Sequence, residues 1–155
     1  MTLPMIWFDF GGVLSPPLDE LYTAFHEKTG IAPEQLQGAM KEVADELGMP
    51  TLAPVELAVL SEREWGRRIE RVLRDRHPGL DLSRARLETF GEQWFEGVEA
   101  DPIMVCAARY ARELGFPVGV LSNNVVEWEP HWKRIIEPVG PLDALIDSCP
   151  SSSSL

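Results

Sequence analysis

Two short apolar runs in this chain end in residues that can do chemistry. Met5-Ile6-Trp7-Phe8 leads into Asp9 and then Phe10-Gly11-Gly12. Phe116-Pro117-Val118-Gly119-Val120-Leu121 leads into Ser122-Asn123-Asn124. A carboxylate can attack an electrophilic centre or ligate magnesium. A hydroxyl and two carboxamides can donate hydrogen bonds to phosphate oxygens. Gly11 and Gly12 lack a Cβ, so the backbone there can turn sharply and approach a ligand closely.

These residues need elements to position them. A short apolar run closed by glycine reads as a buried strand of a parallel sheet. In open α/β sheets, ligands bind beyond the carboxyl ends of such strands. Parallel neighbours would bring Asp9 and Ser122 to one edge of the sheet. The structural alternative is a solvated Asp before a glycine turn, and a Ser122 that caps a helix beginning near Val125. The two roles of Ser122 are compatible, because such a helix start also offers backbone N–H groups to an anion.

Between the two runs the spacing predicts helices and no strand. Leu18, Leu21, Tyr22 and Phe25 suit an amphipathic helix stopped by Gly30. A second helix opens at Ile31-Ala32-Pro33 and stops at Gly48 and Pro50. Residues 50–60 are apolar, with helix expected after Pro54. Ser61-Glu62-Arg63-Glu64 has the pattern of a capping box in which Ser61 and Glu64 satisfy each other's N–H. The helix that follows breaks at His77-Pro78-Gly79. Another is expected from near Ser83, with Leu87, Phe90, Trp94 and Phe95 inward and Gly97 as its stop. The aromatic stripes read as core packing. Residues 16–97 are thus expected to form a helical cap, and 1–15 with 98–149 an α/β core.

Asp101-Pro102 predicts a helix start, with Cys106, Tyr110 and Leu114 facing the sheet and Cys106 buried. Residues 125–136 predict a helix disturbed or restarted at Pro130. His131 there is a weak acid–base candidate, set against an ordinary packing or surface role. Leu142 to Ser148 predicts a third strand, and 150–155 a disordered tail.

The chain has 155 residues, 45% of them hydrophobic and 25% charged, which fits an ordinary globular protein with one sizeable core. No apolar run is long enough to span a membrane. The N-terminus lacks the features of a signal peptide. Cys106 and Cys149 do not make a disulfide framework, so a cytoplasmic location is expected. A net charge of −11 argues against nucleic acid and anionic membranes as partners. A phosphate site would need local compensation by a metal, Lys133, Arg134 or backbone amides.

Phe8-Asp9-Phe10-Gly11-Gly12-Val13-Leu14 and Val120-Leu121-Ser122-Asn123 together resemble the first two motifs of the haloacid dehalogenase superfamily of hydrolases. The resemblance covers residues 5 to about 149. It implies an α/β fold: a Rossmann-like parallel sheet, incomplete here, with an inserted α-helical cap that covers the site and chooses substrates. It implies that Asp9 is the nucleophile, forming an aspartyl-phosphate from a small phosphorylated substrate. It implies Mg²⁺ held by Asp9 and the backbone carbonyl of Gly11, with Ser122, Asn123 and Gly12 holding the transferred group. Two departures stand out. Family phosphatases often have an acidic acid–base residue where this chain has Gly11, as the dehalogenase branch does not; losing a positioned proton donor costs ~10²–10⁴-fold. The third and fourth motifs, a cation and an acidic pair, have no match. Asp143 and Asp147 are not expected to replace the acidic pair, and neither Lys133 nor Arg134 has the cation's context. A truncated chain is therefore expected, with Met5 to Phe8 as an exposed apolar edge open to self-association. The alternatives are carbon–halogen hydrolysis, which needs no metal, and a non-catalytic family member.

Overall fold

The structure, a computed structural model, describes residues 2–147. Ser148, Cys149 and the tail expected over 150–155 lie outside the described residues. Three strands, β1 (Ile6–Asp9), β2 (Val118–Ser122) and β3 (Ala144–Asp147), form a parallel sheet in the order β1-β2-β3. Ile6 pairs with Val118 and Asp9 with Leu121; Gly119 pairs with Ala144 and Ser122 with Asp147. Successive side chains point to opposite faces of a strand. Phe8, Val118 and Val120 therefore share one face, and all three are buried. Trp7, Leu121 and Ile146 share the other, where they are 42%, 42% and 46% exposed. The Trp7 ring lies across Gly119, where a Cβ would meet it at 2.6 Å. Among the described residues, β1 has no strand on its far side; of the Met5 to Phe8 run expected to be exposed there, Trp7 is exposed, Met5 and Ile6 are half-buried and Phe8 is buried.

Among the described residues, five helices form a layer between β1 and the crossover to β2: α1 (Leu18–Thr29), α2 (Pro33–Glu46), α3 (Ala53–Glu56), α4 (Glu62–Arg76) and α5 (Phe90–Trp94). Gly30 ends α1 at φ +81°, a conformation that a side chain would strain. Ser61 caps α4 by accepting from the Glu64 N–H at 3.2 Å. The Glu64 carboxylate turns instead to Arg68, at 3.0 Å, so only half of the expected box forms. The helix expected from Ser83 begins only as a tight turn at Leu87–Thr89. Upstream, the Asp81 carboxylate accepts from the Ser83 N–H at 2.9 Å. The Gln93 side chain accepts from Arg86 N–H at 2.7 Å and donates to Arg84 C=O at 2.8 Å. Residues 84–86 thus spend their backbone groups on a side chain, not on a helical ladder.

Two more helices, α6 (Pro102–Glu113) and α7 (Glu129–Ile136), carry the crossovers between the strands. Right-handed crossovers place both on the same face of the sheet. Burial agrees: Phe8, Val118 and Val120 share one cluster with Val105, Ala108 and Trp132. Asp101 caps α6, accepting from Ile103 and Met104 N–H groups at 2.9 and 3.0 Å. The inward face of α6 differs from the expected one. Val105, Ala108 and Ala111 are buried, whereas Cys106 is exposed and Tyr110 and Leu114 are 61% and 54% exposed. Both stripes have helical period. The small one packs inward, and Arg112 fixes the helix rotation by donating to the Val139 and Pro141 carbonyls at 2.9 and 2.5 Å. Pro130 sits in the first turn of α7, after a tight turn at Val126–Trp128; the restart expected at this proline is present.

Helical layer and sheet share one hydrophobic cluster. Phe10, just past β1, contacts Phe95 of the helical layer at 6.2 Å and Trp132 of α7 at 5.8 Å between ring centroids.

Candidate functional site

Asp9 ends β1 and is exposed. Its carboxylate makes no hydrogen bond or ion pair among the described residues, so its lone pairs are uncommitted. A single wide turn, Phe10–Leu14, follows and closes with Ser15 N–H on Phe10 C=O at 2.8 Å. Gly12 takes φ +74° in that turn, which explains the glycine. Its N–H donates to the Ser15 hydroxyl at 3.1 Å. A Cβ at Gly11 or Gly12 would meet nothing within 4 Å, so the turn borders open space.

Strand pairing puts the Asp9 backbone beside Leu121 and one step from Ser122, within about 6 Å by strand geometry. The pleat separates their side chains, so the carboxylate and hydroxyl expected to act on one transferred group do not share a pocket: Asp9 is on the exposed face, while Ser122 is 1% exposed. Ser122 accepts from the Asn124 N–H at 3.2 Å and from Asn124 Nδ2 at 2.7 Å. Its hydroxyl thereby braces the loop that carries Asn123.

A cavity of about 310 Å³ opens between the Phe10–Leu14 turn, the helical layer and the loop after β2. Gly11, Gly12, Asn123 and Asn124 line it. Asp9 and Ser122 do not; the wall on the β1 side begins at Phe10. Of the expected site residues, the structure therefore gathers Gly11, Gly12 and Asn123 around one space, with Asp9 next to it in the chain.

The opposite wall went unnamed in the sequence reading. Tyr22, Met40, Trp94 and Trp128 supply apolar surface, and Glu56 of α3 supplies the one carboxylate among the described residues. Burial pushes the Glu56 carboxyl above its ordinary value, because the charged form loses hydration. A signal existed: Glu56 is the single acidic residue in the apolar stretch from Met49 to Leu60.

Trp128 is pinned. Its indole Nε1 donates to Glu62 Oε1 at 2.9 Å, and the same oxygen accepts from the Gly91 N–H at 2.6 Å. The ring stacks on Phe90 at 5.6 Å. Burial raises the Glu62 carboxyl above its usual range; the bonds from Gly91 and Trp128 oppose that shift.

The cations considered from sequence are occupied elsewhere. Lys133 pairs with Glu129, and Arg134 donates to Phe95 C=O at 3.0 Å. His131 is half-buried and does not line the cavity; it lies near enough to Glu62 to lower that carboxyl. The Asp143 carboxylate accepts from the Val118 N–H at 2.7 Å, which ties β3 to the start of β2. Among the described residues there is no group of three or more His, Cys, Asp or Glu placed to hold a metal. Magnesium does not require one, since it keeps waters and is often bound through one or two carboxylates and the substrate's phosphate. The uncommitted Asp9 carboxylate and the Gly11 carbonyl fit that minimal demand. No helix among the described residues is long and apolar enough to cross a membrane.

No protein-family model and no curated protein matches the chain by sequence. Solved structures do match. The chain is similar to an L-2-haloacid dehalogenase at TM-score 0.54 and 18% identity, over 95% of this chain and 64% of that one. It is similar to the L-2-haloacid dehalogenase from Xanthobacter autotrophicus with chloropropionic acid covalently bound, at TM-score 0.54 and 12% identity, over 95% and 57%. It is also similar to a HAD family enzyme from Bacteroides thetaiotaomicron in complex with magnesium and inorganic phosphate, at TM-score 0.50 and 15% identity, over 94% and 69%. The chain thus spans between 57% and 69% of the length of these three proteins. A parallel β1-β2-β3 sheet, a helical layer inserted after β1 and this likeness agree: the chain has the fold of the haloacid dehalogenase-like hydrolases.

Proposed function

We propose that this chain supplies the nucleophile and substrate cavity of a cytoplasmic, magnesium-dependent hydrolase of small phosphomonoesters. The observation that carries the reading is the uncommitted, exposed Asp9 carboxylate at the carboxyl end of β1, directly before the turn that lines the cavity. A carboxylate oxygen of Asp9 attacks phosphorus, the bond to the leaving oxygen breaks, and water then hydrolyses the aspartyl-phosphate. Asn123 and the Gly11–Gly12 backbone orient the transferred group, and Ser122 holds their loop through Asn124. Asp9 and the Gly11 carbonyl would hold Mg²⁺, which neutralises charge on phosphoryl oxygens. The Bacteroides neighbour, in complex with magnesium and phosphate, supports this choice.

Carbon–halogen hydrolysis is the second reading, favoured by Gly11 and by the dehalogenase neighbours. Against it, a 2-haloacid would bring its carboxylate, with no metal to offset it, into a cavity lined among the described residues by Glu56 and by no Lys or Arg. Turnover of p-nitrophenyl phosphate with and without Mg²⁺, on wild type and Asp9→Asn, decides. The expected result is magnesium-dependent turnover that falls at least about a hundredfold in the variant. Equal rates for the two proteins would refute Asp9 as the nucleophile. Halide release from a 2-haloacid without metal would favour the second reading.

A further inference from the structure

We propose that the cavity selects an organic ammonium ion, with Glu56 as its counter-ion and Tyr22, Trp94 and Trp128 as its aromatic wall. The inference rests on the reading above, to which it adds the body of the substrate: a phosphomonoester of an amino alcohol. Among the described residues, no Lys, Arg or His lines the cavity, and Glu56 is its one carboxylate. That carboxyl is half-buried and makes no hydrogen bond or ion pair among the described residues. Leaving a charge in such a place is costly. Burial accordingly raises its pKa, and a bound cation would reverse that shift.

The other candidate bodies fit less well. An anionic one would meet Glu56 with nothing to offset it. A neutral apolar one would leave the carboxylate facing hydrocarbon. An ammonium ion gains from the carboxylate, and the aromatic rings that line the same cavity are of the kind that attract cations through their quadrupole. Size agrees: about 310 Å³ is at the small end of ligand sites, suited to a compact molecule. A net charge of −11 also draws cations toward the protein. The polar partners of a phosphate, Gly11, Gly12 and Asn123, line the same space, so one small molecule can meet both groups.

Equilibrium binding tests this without turnover. Choline and its neutral isostere 3,3-dimethylbutan-1-ol are titrated against the chain, with tryptophan fluorescence and calorimetry as readouts. Choline is expected to bind at least tenfold more tightly than the alcohol. Glu56→Gln should cut that preference below threefold while leaving the affinity for the alcohol unchanged. In wild type, choline affinity should weaken as pH falls through the Glu56 pKa, which needs no variant to fold. Equal affinities, no saturation by choline, or a preference that survives in Glu56→Gln would overturn the proposal. Choline binding that depends on Glu56, without turnover of phosphocholine, would sink the phosphatase reading alone. Turnover of p-nitrophenyl phosphate without any choline preference would sink this inference alone.

Discussion

Gly91 is where one methyl group should do the most damage near the site. A Cβ there would lie 2.3 Å from Trp128 Cδ1, 2.6 Å from Cγ and 2.8 Å from Nε1. Carbon atoms prefer about 3.5–4.0 Å, so the indole must move by more than about 1 Å. The move also pulls Nε1 away from Glu62 Oε1, now at 2.9 Å. Overpacking costs about 1–3 kcal/mol. A lost bond to a charged acceptor adds about 1.5 kcal/mol or more. Against this, alanine in a helix is worth about 1 kcal/mol over glycine. The net is about 2 kcal/mol of destabilisation, or a Tm lower by about 4–8 °C for a chain of this size. Gly38→Ala is the control. It is also helical, in α2, but a Cβ there meets nothing within 4 Å. The propensity gain then stands alone, and Tm should rise by about 2–4 °C. Differential scanning calorimetry of both variants checks the pair. A Gly91→Ala protein as stable as Gly38→Ala would show that Trp128 is not held where its contacts place it.

Lys28 donates to the carbonyls of Gln93, Trp94 and Glu96 at 3.0, 3.3 and 2.6 Å, which satisfies the end of α5. Lys28→Met should lower Tm by several degrees, whereas Lys41→Met, which breaks an exposed pair with Asp45, should change stability by less than about 0.5 kcal/mol. The raised Glu56 carboxyl binds its proton more tightly when folded, so its contribution to stability is present at low pH and lost as pH rises through the raised value. Glu56→Gln should therefore melt above wild type at neutral pH, with the gap closing in acid; a gap that ignores pH refutes the assignment. Self-association through the β1 edge predicts a dimer by sedimentation for wild type and a monomer for Trp7→Lys, since Trp7 is exposed beside that edge. Sedimentation as a monomer in both removes the idea.

The strands were legible because their signals are local. The four-residue run before Asp9 and the six-residue run before Ser122 need no tertiary context to read as buried parallel strands. Helix stops at Gly30 and the start at Asp101-Pro102 were legible for the same reason, since caps are contacts within one turn. What failed was decided by long-range contacts. The inward face of α6 depended on Arg112 reaching Val139 and Pro141. The missing turns after Ser83 depended on Gln93, seven to nine residues further along. Register, too, was invisible: it sets Asp9 beside Leu121 rather than Ser122, and so turns two adjacent side chains to opposite faces.

The cavity wall was the least legible part because no one segment makes it. Tyr22 comes from α1, Glu56 from α3, Trp94 from α5 and Trp128 from the loop after β2. The aromatic residues among them serve two purposes at once. Tyr22 packs edge-on against Trp94 at 5.1 Å, and Phe90 stacks between Trp94 and Trp128 at 5.3 and 5.6 Å. The sequence reading of these rings as core packing was thus correct and incomplete. The same sharing limits how the site can open. Lifting the helical layer from the sheet would expose Phe10, Phe90, Phe95 and Trp128 together, each burying roughly 150–250 Å². At about 25 cal/mol per Å² that is some 15–25 kcal/mol before any other term, more than the whole stability of an ordinary domain. The cavity is therefore not opened by separating the two layers.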